Sequence, residues 1–457
     1  MTATATRLIG RAPLPRVWDL RPADVYALVA GNGLIIAAMW LRHGGTDQLS
    51  TISGSITAIG QLTALLGTYG ALLQLVLMSR SPWLDQVFGM DRLTAAHRWL
   101  GFATVWLLLG HALGTTVGYA LGDGSSVLAE AWSLVTTYPY VLMATVGLGL
   151  FIAVAVSSVR YARRRLSYET WHGIHLYAYL AIVLSFLHAL VVGTDFRDDP
   201  IARAYWIGLY VAAFGLIAAF RFGAPIRLNL RHRLRVANVV QEAPDTVSVY
   251  VAGRQLEQLA VRAGQYFQWR FLAGDGWWRA HPYSISAAPN GEWLRITIKD
   301  LGRDSARANR LTVGTRIFAE GPYGNLTGAR RSRRRVLLVA GGIGVTPLRA
   351  LLEELPGGPG DLTLIYRAAR WTDVVFRDEL DALARLRGAT LRYLVGRAGQ
   401  DVPAGPLGPG WLRHYVPDIA DRDVYVCGPD RMMATVARSL RTLSVPASQV
   451  HQESFVT

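Results

Sequence analysis

The chain has 457 residues, more than one hydrophobic core usually organises, and 51% of them are hydrophobic while only 17% are charged. Its formal net charge of +15 comes almost wholly from arginine, Lys299 being the one lysine, and the arginines cluster in short loops of an apolar first half, so nucleic-acid binding is not needed to explain it. A single cysteine, Cys427, excludes internal disulfides, cysteine-ligated zinc and a fused iron–sulfur domain.

Six apolar stretches are long enough to cross a bilayer: residues 24–41, 56–78, 93–121, 139–159, 170–192 and 201–220. No cleavable signal peptide is evident before the first, where Pro13, Pro15 and several arginines stand. Arg7, Arg11, Arg16, Arg21, Arg80, Arg92, Arg160, Arg163, Arg164, Arg165, Arg227, Arg231, Arg233 and Arg235 all fall on one side of these spans, whereas the opposite loops carry Asp123, Glu130, Asp195, Asp198 and Asp199, with only Arg42, Arg197 and Arg203 among them. Positive loops face the cytoplasm, which predicts a multi-pass plasma-membrane protein with both termini cytoplasmic.

The third and fifth spans then run parallel, and each carries two histidines: His97 and His111 in LTAAHRWLGFATVWLLLGHALG, His175 and His188 in WHGIHLYAYLAIVLSFLHAL. Gaps of 14 and 13 residues each rise about 20 Å, most of a hydrocarbon core of about 30 Å. His97 would meet His175 in an inner layer and His111 would meet His188 in an outer one, each pair holding the iron of a b-type haem through two imidazoles. At about 100° per residue a 14-residue gap returns near its starting face, but 13 residues miss by about 140°, so the fifth helix must tilt, bulge or re-aim its side chains. His172 is the rival to His175.

Near Phe222 the composition changes to soluble α/β sequence, which predicts a membrane domain over residues 1–222, an antiparallel β-barrel domain over 223–330 and an α/β nucleotide-binding domain over 331–457. The strand HPYSIS presents His281, Pro282, Tyr283 and Ser284 in succession, a ring, a hydroxyl and a donor able to hold an isoalloxazine and its phosphates. Lys299 ends a later strand, Gly302 to Ser305 lead into a helix start suited to an anion, and Gly321 to Gly324 form a turn. In VLLVAGGIGVTPLRALLEEL a buried strand meets a turn at Gly341, Gly342 and Gly344, then a helix begun by Thr346 and Pro347; glycines there let the backbone approach a pyrophosphate. Arg367 and Arg370 after the next strand favour a 2′-phosphate, hence NADPH with NADH as the alternative. A third strand ends in Cys427, Gly428 and Pro429.

Together these motifs resemble the ferric reductase and NADPH oxidase superfamily over nearly the whole chain, with His-Pro-aromatic-hydroxyl at His281 as in the oxidase branch and not the arginine usual in soluble members. The resemblance implies a six-helix haem domain joined to a ferredoxin reductase-type FAD and NADP module. It implies that Lys299 and Ser305 approach the FAD phosphates, that Gly341, Gly342, Gly344 and Thr346 contact the nucleotide pyrophosphate, and that Cys427 lies near the nicotinamide. The terminal HQESFVT resembles the family's ending, in which an aromatic covers the flavin, so Phe455 joins Cys427 and Ser284 as candidates for the reaction centre. The activity expected is an NAD(P)H-dependent ferric reductase or NADPH oxidase-like relay through FAD and two haems to a ferric chelate, to dioxygen giving superoxide, or to a small protein or quinone. The alternative is a haem-free, membrane-anchored flavin reductase with a cytoplasmic acceptor. No calcium-binding loop of the D-x-[DN]-x-[DN]-G type is present.

Overall fold

The computed structural model describes residues 20–193, 197, 199–302, 305–397, 399–402 and 405–453, which form two compact units meeting at Phe222 and Gly223. The first unit is helical. Its spans are α1 (Pro22–Arg42), α2 (Ile52–Leu77), α4 (Met90–Asp123), α6 (Val141–Ser158), α8 (Tyr168–Val192) and α9 (Pro200–Leu216), linked by the short helices α3 (Pro82–Phe88), α5 (Val127–Thr137) and α7 (Arg160–Arg163). Among the described residues six helices are long and apolar enough to cross a membrane, as expected from the sequence. The sequence reading gave α5 no helix.

Local chemistry fixes the helix starts. Thr51 Oγ1 accepts from Gly54 N, Ser167 Oγ from Thr170 N, and Asp199 Oδ1 from Ile201 N and Ala202 N, with Pro200 at the first helical position. Helices α2 and α4 approach through small residues. A Cβ on Gly60 would stand 2.9 Å from Thr115 N, and one on Gly118 would stand 2.1 Å from Thr57 Oγ1. The buried centre holds Leu65, Leu72, Phe151, Ile182, Trp206 and Tyr210. Yet Trp99 is 76% exposed, and Leu34, Trp106 and Val211 are exposed too. Large side chains on the outside of helices this apolar suit a hydrocarbon solvent.

The last span continues through a π-helical turn, Ile217–Gly223, into α10 (Ala224–His232), which opens the second unit. There six strands form two antiparallel sheets around one core. One has the order β1 (Arg235–Ala243), β2 (Thr246–Ala252), β5 (Trp293–Lys299); the other has the order β4 (His281–Ser284), β3 (Tyr266–Phe271), β6 (Ile317–Tyr323). In the region expected to form an antiparallel barrel, these two three-stranded antiparallel sheets are joined by isolated bridges at Arg235/Arg316 and Ile285/Ile296. Val249, Phe267, Trp269 and Ile296, all fully buried, fill the space between them.

A five-stranded parallel sheet follows in the order β11 (Val450–Glu453), β10 (Arg422–Cys427), β7 (Arg335–Gly341), β8 (Leu362–Ala368), β9 (Thr390–Val395). Helices α11 (Val345–Glu354) and α12 (Arg377–Arg387) and helices α13 (Pro409–Tyr415) and α14 (Asp430–Thr442) supply its packing. The strand order reverses between β7 and β10. In open α/β sheets that reversal marks the ligand crevice, at the carboxyl ends of the strands.

Candidate functional site

In the helical unit the four histidines meet as two pairs. The His97 and His175 rings lie 5.8 Å apart between centroids at 61°, and His111 and His188 are close enough to interact electrostatically. Near ends pair with near ends, so α4 and α8 run parallel. No bulge corrects the 13-residue gap, because α8 is an unbroken α-helix over its whole length. Helix α2 backs both layers. His111 Nδ1 meets the Gly60 carbonyl at 3.1 Å, and the His97 ring faces the backbone of Gln74. The Nδ1 atoms of His97, His175 and His188 are buried without a hydrogen bond. His172, the rival to His175, lies near Arg221, Trp171 and His175 itself. Among the described residues no three His, Cys, Asp or Glu side chains converge. The donor set is two imidazoles per layer, which fits the axial positions of a haem and not a polydentate metal site.

In the second unit β4 pairs with β3, Ser284 opposite Tyr266 and His281 opposite Trp269. Strand alternation puts His281 and Tyr283 on one face, their rings stacked at 25°, and Pro282 and Ser284 on the other. The indole of Trp269 donates to the Tyr283 carbonyl at 2.9 Å. Ser284 Oγ is buried without a partner. A buried hydroxyl left unsatisfied by the protein is what a flavin edge could complete. Lys299 sits in ion pairs with Asp245 at 3.3 Å and Asp373 at 3.8 Å. Arg370 hydrogen bonds hold Asp373 below the usual carboxylate range, and Lys299 adds to this. Gly302 and Ser305 form a turn in which Ser305 Oγ accepts from Leu301 N and donates to the Gly302 carbonyl.

At the switch point two turns pack backbone on backbone. A Cβ on Gly344 would fall 2.4 Å from the Cys427 carbonyl, and one on Gly428, at φ +158, would fall 2.9 Å from Gly341 Cα. Only glycine permits that approach. Thr346 and Pro347 are buried in the first turn of α11, the Thr346 hydroxyl donating to the Ile343 carbonyl. Pro429 precedes α14. Cys427 is fully buried, and burial, with Glu453 beside it, pushes its thiol well above the ordinary value.

Arg367 does not project from the sheet as a free cation. Its guanidinium donates to the carbonyls of Ala368, Leu394 and Gly396. Arg370, its side chain 75% exposed, pairs with Asp373. Phe455 lies outside the described residues.

Sequence reasoning missed two features. Glu453 pairs across β11 with Cys427, and its carboxylate borders Gly324. Arg295 donates to Ser286 Oγ and to Glu379 at 3.0 Å and stacks 4.5 Å over Phe376, while Arg349 bonds both Glu353 and Glu379. Ala288 N donates to Glu353 and Ala263 N to Glu354, so carboxylates of the parallel-sheet lobe clamp loops of the antiparallel lobe. Only the tail's HQES and an arginine inside a strand hinted at either.

Residues 63–186 match the family described as the ferric reductase like transmembrane component, and residues 338–438 match the oxidoreductase NAD-binding domain. Ferredoxin–NADP reductase B of Sorangium cellulosum is 35% identical over 191 residues, 38% of this chain and 77% of that protein. A flavohemoprotein of Xylella fastidiosa is 31% identical over 203 residues, 42% of this chain; the chain spans 51% of that relative's length. The FAD/NAD-binding domain of nitric oxide dioxygenase from Vibrio cholerae aligns with 49% of this chain and 99% of its own at 24% identity and a TM-score of 0.41. With a ferric reductase-like helical half and a ferredoxin reductase-type half able to bind FAD and NAD(P)H in one polypeptide, the chain belongs to the ferric reductase and NADPH oxidase superfamily.

Proposed function

We propose that this membrane NAD(P)H oxidoreductase passes electrons from cytoplasmic NADPH through FAD and two b-type haems to a ferric chelate or dioxygen on the outer side of the plasma membrane. The observation that carries this reading is the pairing of four membrane histidines into two layers on parallel helices. The His97 and His175 rings, 5.8 Å apart between centroids, would hold one iron, and the His111 and His188 rings would hold a second. FAD, when bound, supplies the conversion of hydride into single electrons, and the haems supply one-electron carriers.

The protein's own part is binding and orientation. The Gly341 to Gly344 turn offers backbone amides at the start of α11 to a pyrophosphate, and Arg370 is the remaining candidate for a 2′-phosphate. The Ser284 hydroxyl is positioned to donate to a flavin edge from a buried strand end. His97 with His175, and His111 with His188, would hold the two haems through their imidazoles, and the haems would supply one-electron carriers with no iron position left open for an acceptor.

The test is an anaerobic visible spectrum of detergent-purified, FAD-supplemented protein before and after NADPH, with haem quantified per chain. Two b-type haems per chain that become reduced support the relay, and His97→Ala or His188→Ala should then remove one. Flavin bleaching with no haem bands overturns it in favour of a haem-free, membrane-anchored flavin reductase.

A further inference from the structure

The two histidine layers are built differently. At the layer of His97 and His175, the indole of Trp171 lies against His175, 5.0 Å between centroids and 31° between planes, one helical turn earlier on α8. The ring is pinned from outside α8: its Nε1 donates to Ser158 Oγ at 3.2 Å, and the Arg163 guanidinium stands 4.7 Å over its face. Arg163 itself is anchored on the Leu166 carbonyl. Three elements, the end of α6, the turn α7 and the start of α8, thus converge to stack a fixed positive charge on an indole and the indole on an imidazole. At the other layer no indole–guanidinium stack lies against a histidine ring among the described residues, while both layers share the α2 backbone, His97 facing Gln74 and His111 the Gly60 carbonyl.

Resting on the haem reading above, we propose that Arg163 and Trp171 are positioning residues that raise the reduction potential of the haem held by His97 and His175, leaving the haem of His111 and His188 untouched. A positive charge near an iron favours the form carrying one more electron. Arg163 lies roughly 10 Å from the His175 ring, where a unit charge at an effective dielectric of about 20 shifts an equilibrium about tenfold; its partial exposure lowers that to about threefold. Trp171 stands between the guanidinium and the His175 ring, and His188 lies 13 residues, about 20 Å, further along α8, which is why the charge acts on one layer.

The experiment is an anaerobic spectroelectrochemical titration of full-length, haem-loaded protein, with haem content measured on the same samples, for the native chain and for Arg163→Gln, Arg163→Lys and Trp171→Leu. With Arg163→Gln the ferrous-to-ferric ratio of one haem, read at its native midpoint, should fall about threefold with the other haem unmoved; Arg163→Lys should restore most of it and Trp171→Leu should reproduce the fall. Unchanged midpoints with both haems retained, or equal shifts of both, would overturn the proposal while leaving the relay intact. Loss of haem in Arg163→Gln but not in Arg163→Lys would place the guanidinium on the haem itself and equally overturn action through the ring. A native chain without haem defeats the parent reading, and so separates the two failures.

Discussion

Removing the Glu379 carboxylate tests what holds the flavin-side strands against the nucleotide sheet. Glu379 serves two buried guanidiniums, those of Arg295 and Arg349. Burial works against the charge on Arg295, whose side chain is 5% exposed, and Glu379 more than offsets it, leaving the group more basic than an ordinary arginine. Deleting one partner of a fully buried pair costs about 3–5 kcal/mol because the other charge stays behind. The Glu379 side chain is 33% exposed, so water screens part of the pair, and Arg349 keeps Glu353. Glu379→Ala should therefore destabilise the second unit by about 2–3 kcal/mol. For a body of this size that lowers its melting temperature by about 4–12 °C. The assay is thermal release of flavin fluorescence from FAD-loaded full-length protein, with Arg295→Met and the double variant Arg295→Met/Glu379→Ala to close a mutant cycle. If the charge pair acts as described, the double variant recovers part of the loss, because Arg295 is then not left as a buried charge without Glu379, while Arg349 keeps Glu353. A loss under about 0.5 kcal/mol in Glu379→Ala would refute the clamp.

Two further outcomes follow from single atoms. Ser284→Ala removes a hydroxyl that has no protein partner, so stability should stay within about 0.5 kcal/mol, while flavin reduction by NADPH in stopped flow slows about 10- to 100-fold; an unchanged rate would detach Ser284 from the reaction. Cys427 should resist iodoacetamide at pH 8 in the folded protein and react on denaturation, because burial raises its thiol above the ordinary 9.0 and the thiolate is the nucleophile. The sign carries to stability: as pH rises past about 9 the unfolded chain ionises first, so the unit weakens in alkali.

What was legible in the sequence is what periodicity and local chemistry dictate. Six apolar runs, the four membrane histidines and the GGIG turn each announce themselves within a few residues of chain. Contacts made by distant residues do not. Arg295 and Glu379 are 84 residues apart, and neither position looks unusual alone. Arg367 reads as a phosphate ligand because it stands at the end of a strand in the nucleotide half; two of the carbonyls it caps, those of Leu394 and Gly396, come from the next strand over and the residue just past it, a relation visible only once β8 and β9 pair. Lys299 likewise reads as an anion ligand until Asp245 and Asp373 are seen beside it. Helix α5 was missed because its apolar Leu128 and Trp132 sit in a segment too short for a span and too polar at its ends for a core.

The 13-residue gap on α8 shows where helical arithmetic stops being decisive. His97 and His111 return to nearly one face of α4, while His175 and His188 diverge by about 140° on α8. An unbroken helix can still present both to α4 if each leans about 70° to either side of the line joining the two helices, a reach the imidazole's Cβ–Cγ bond supplies. The two layers would then approach α4 from opposite flanks. The surroundings of the two layers are unequal as well: His175 lies beside Trp171 and Arg163, whereas His188 lies near His111. A histidine spacing that fits a helix imperfectly is therefore compatible with two unlike sites, where a perfect repeat would have favoured two alike.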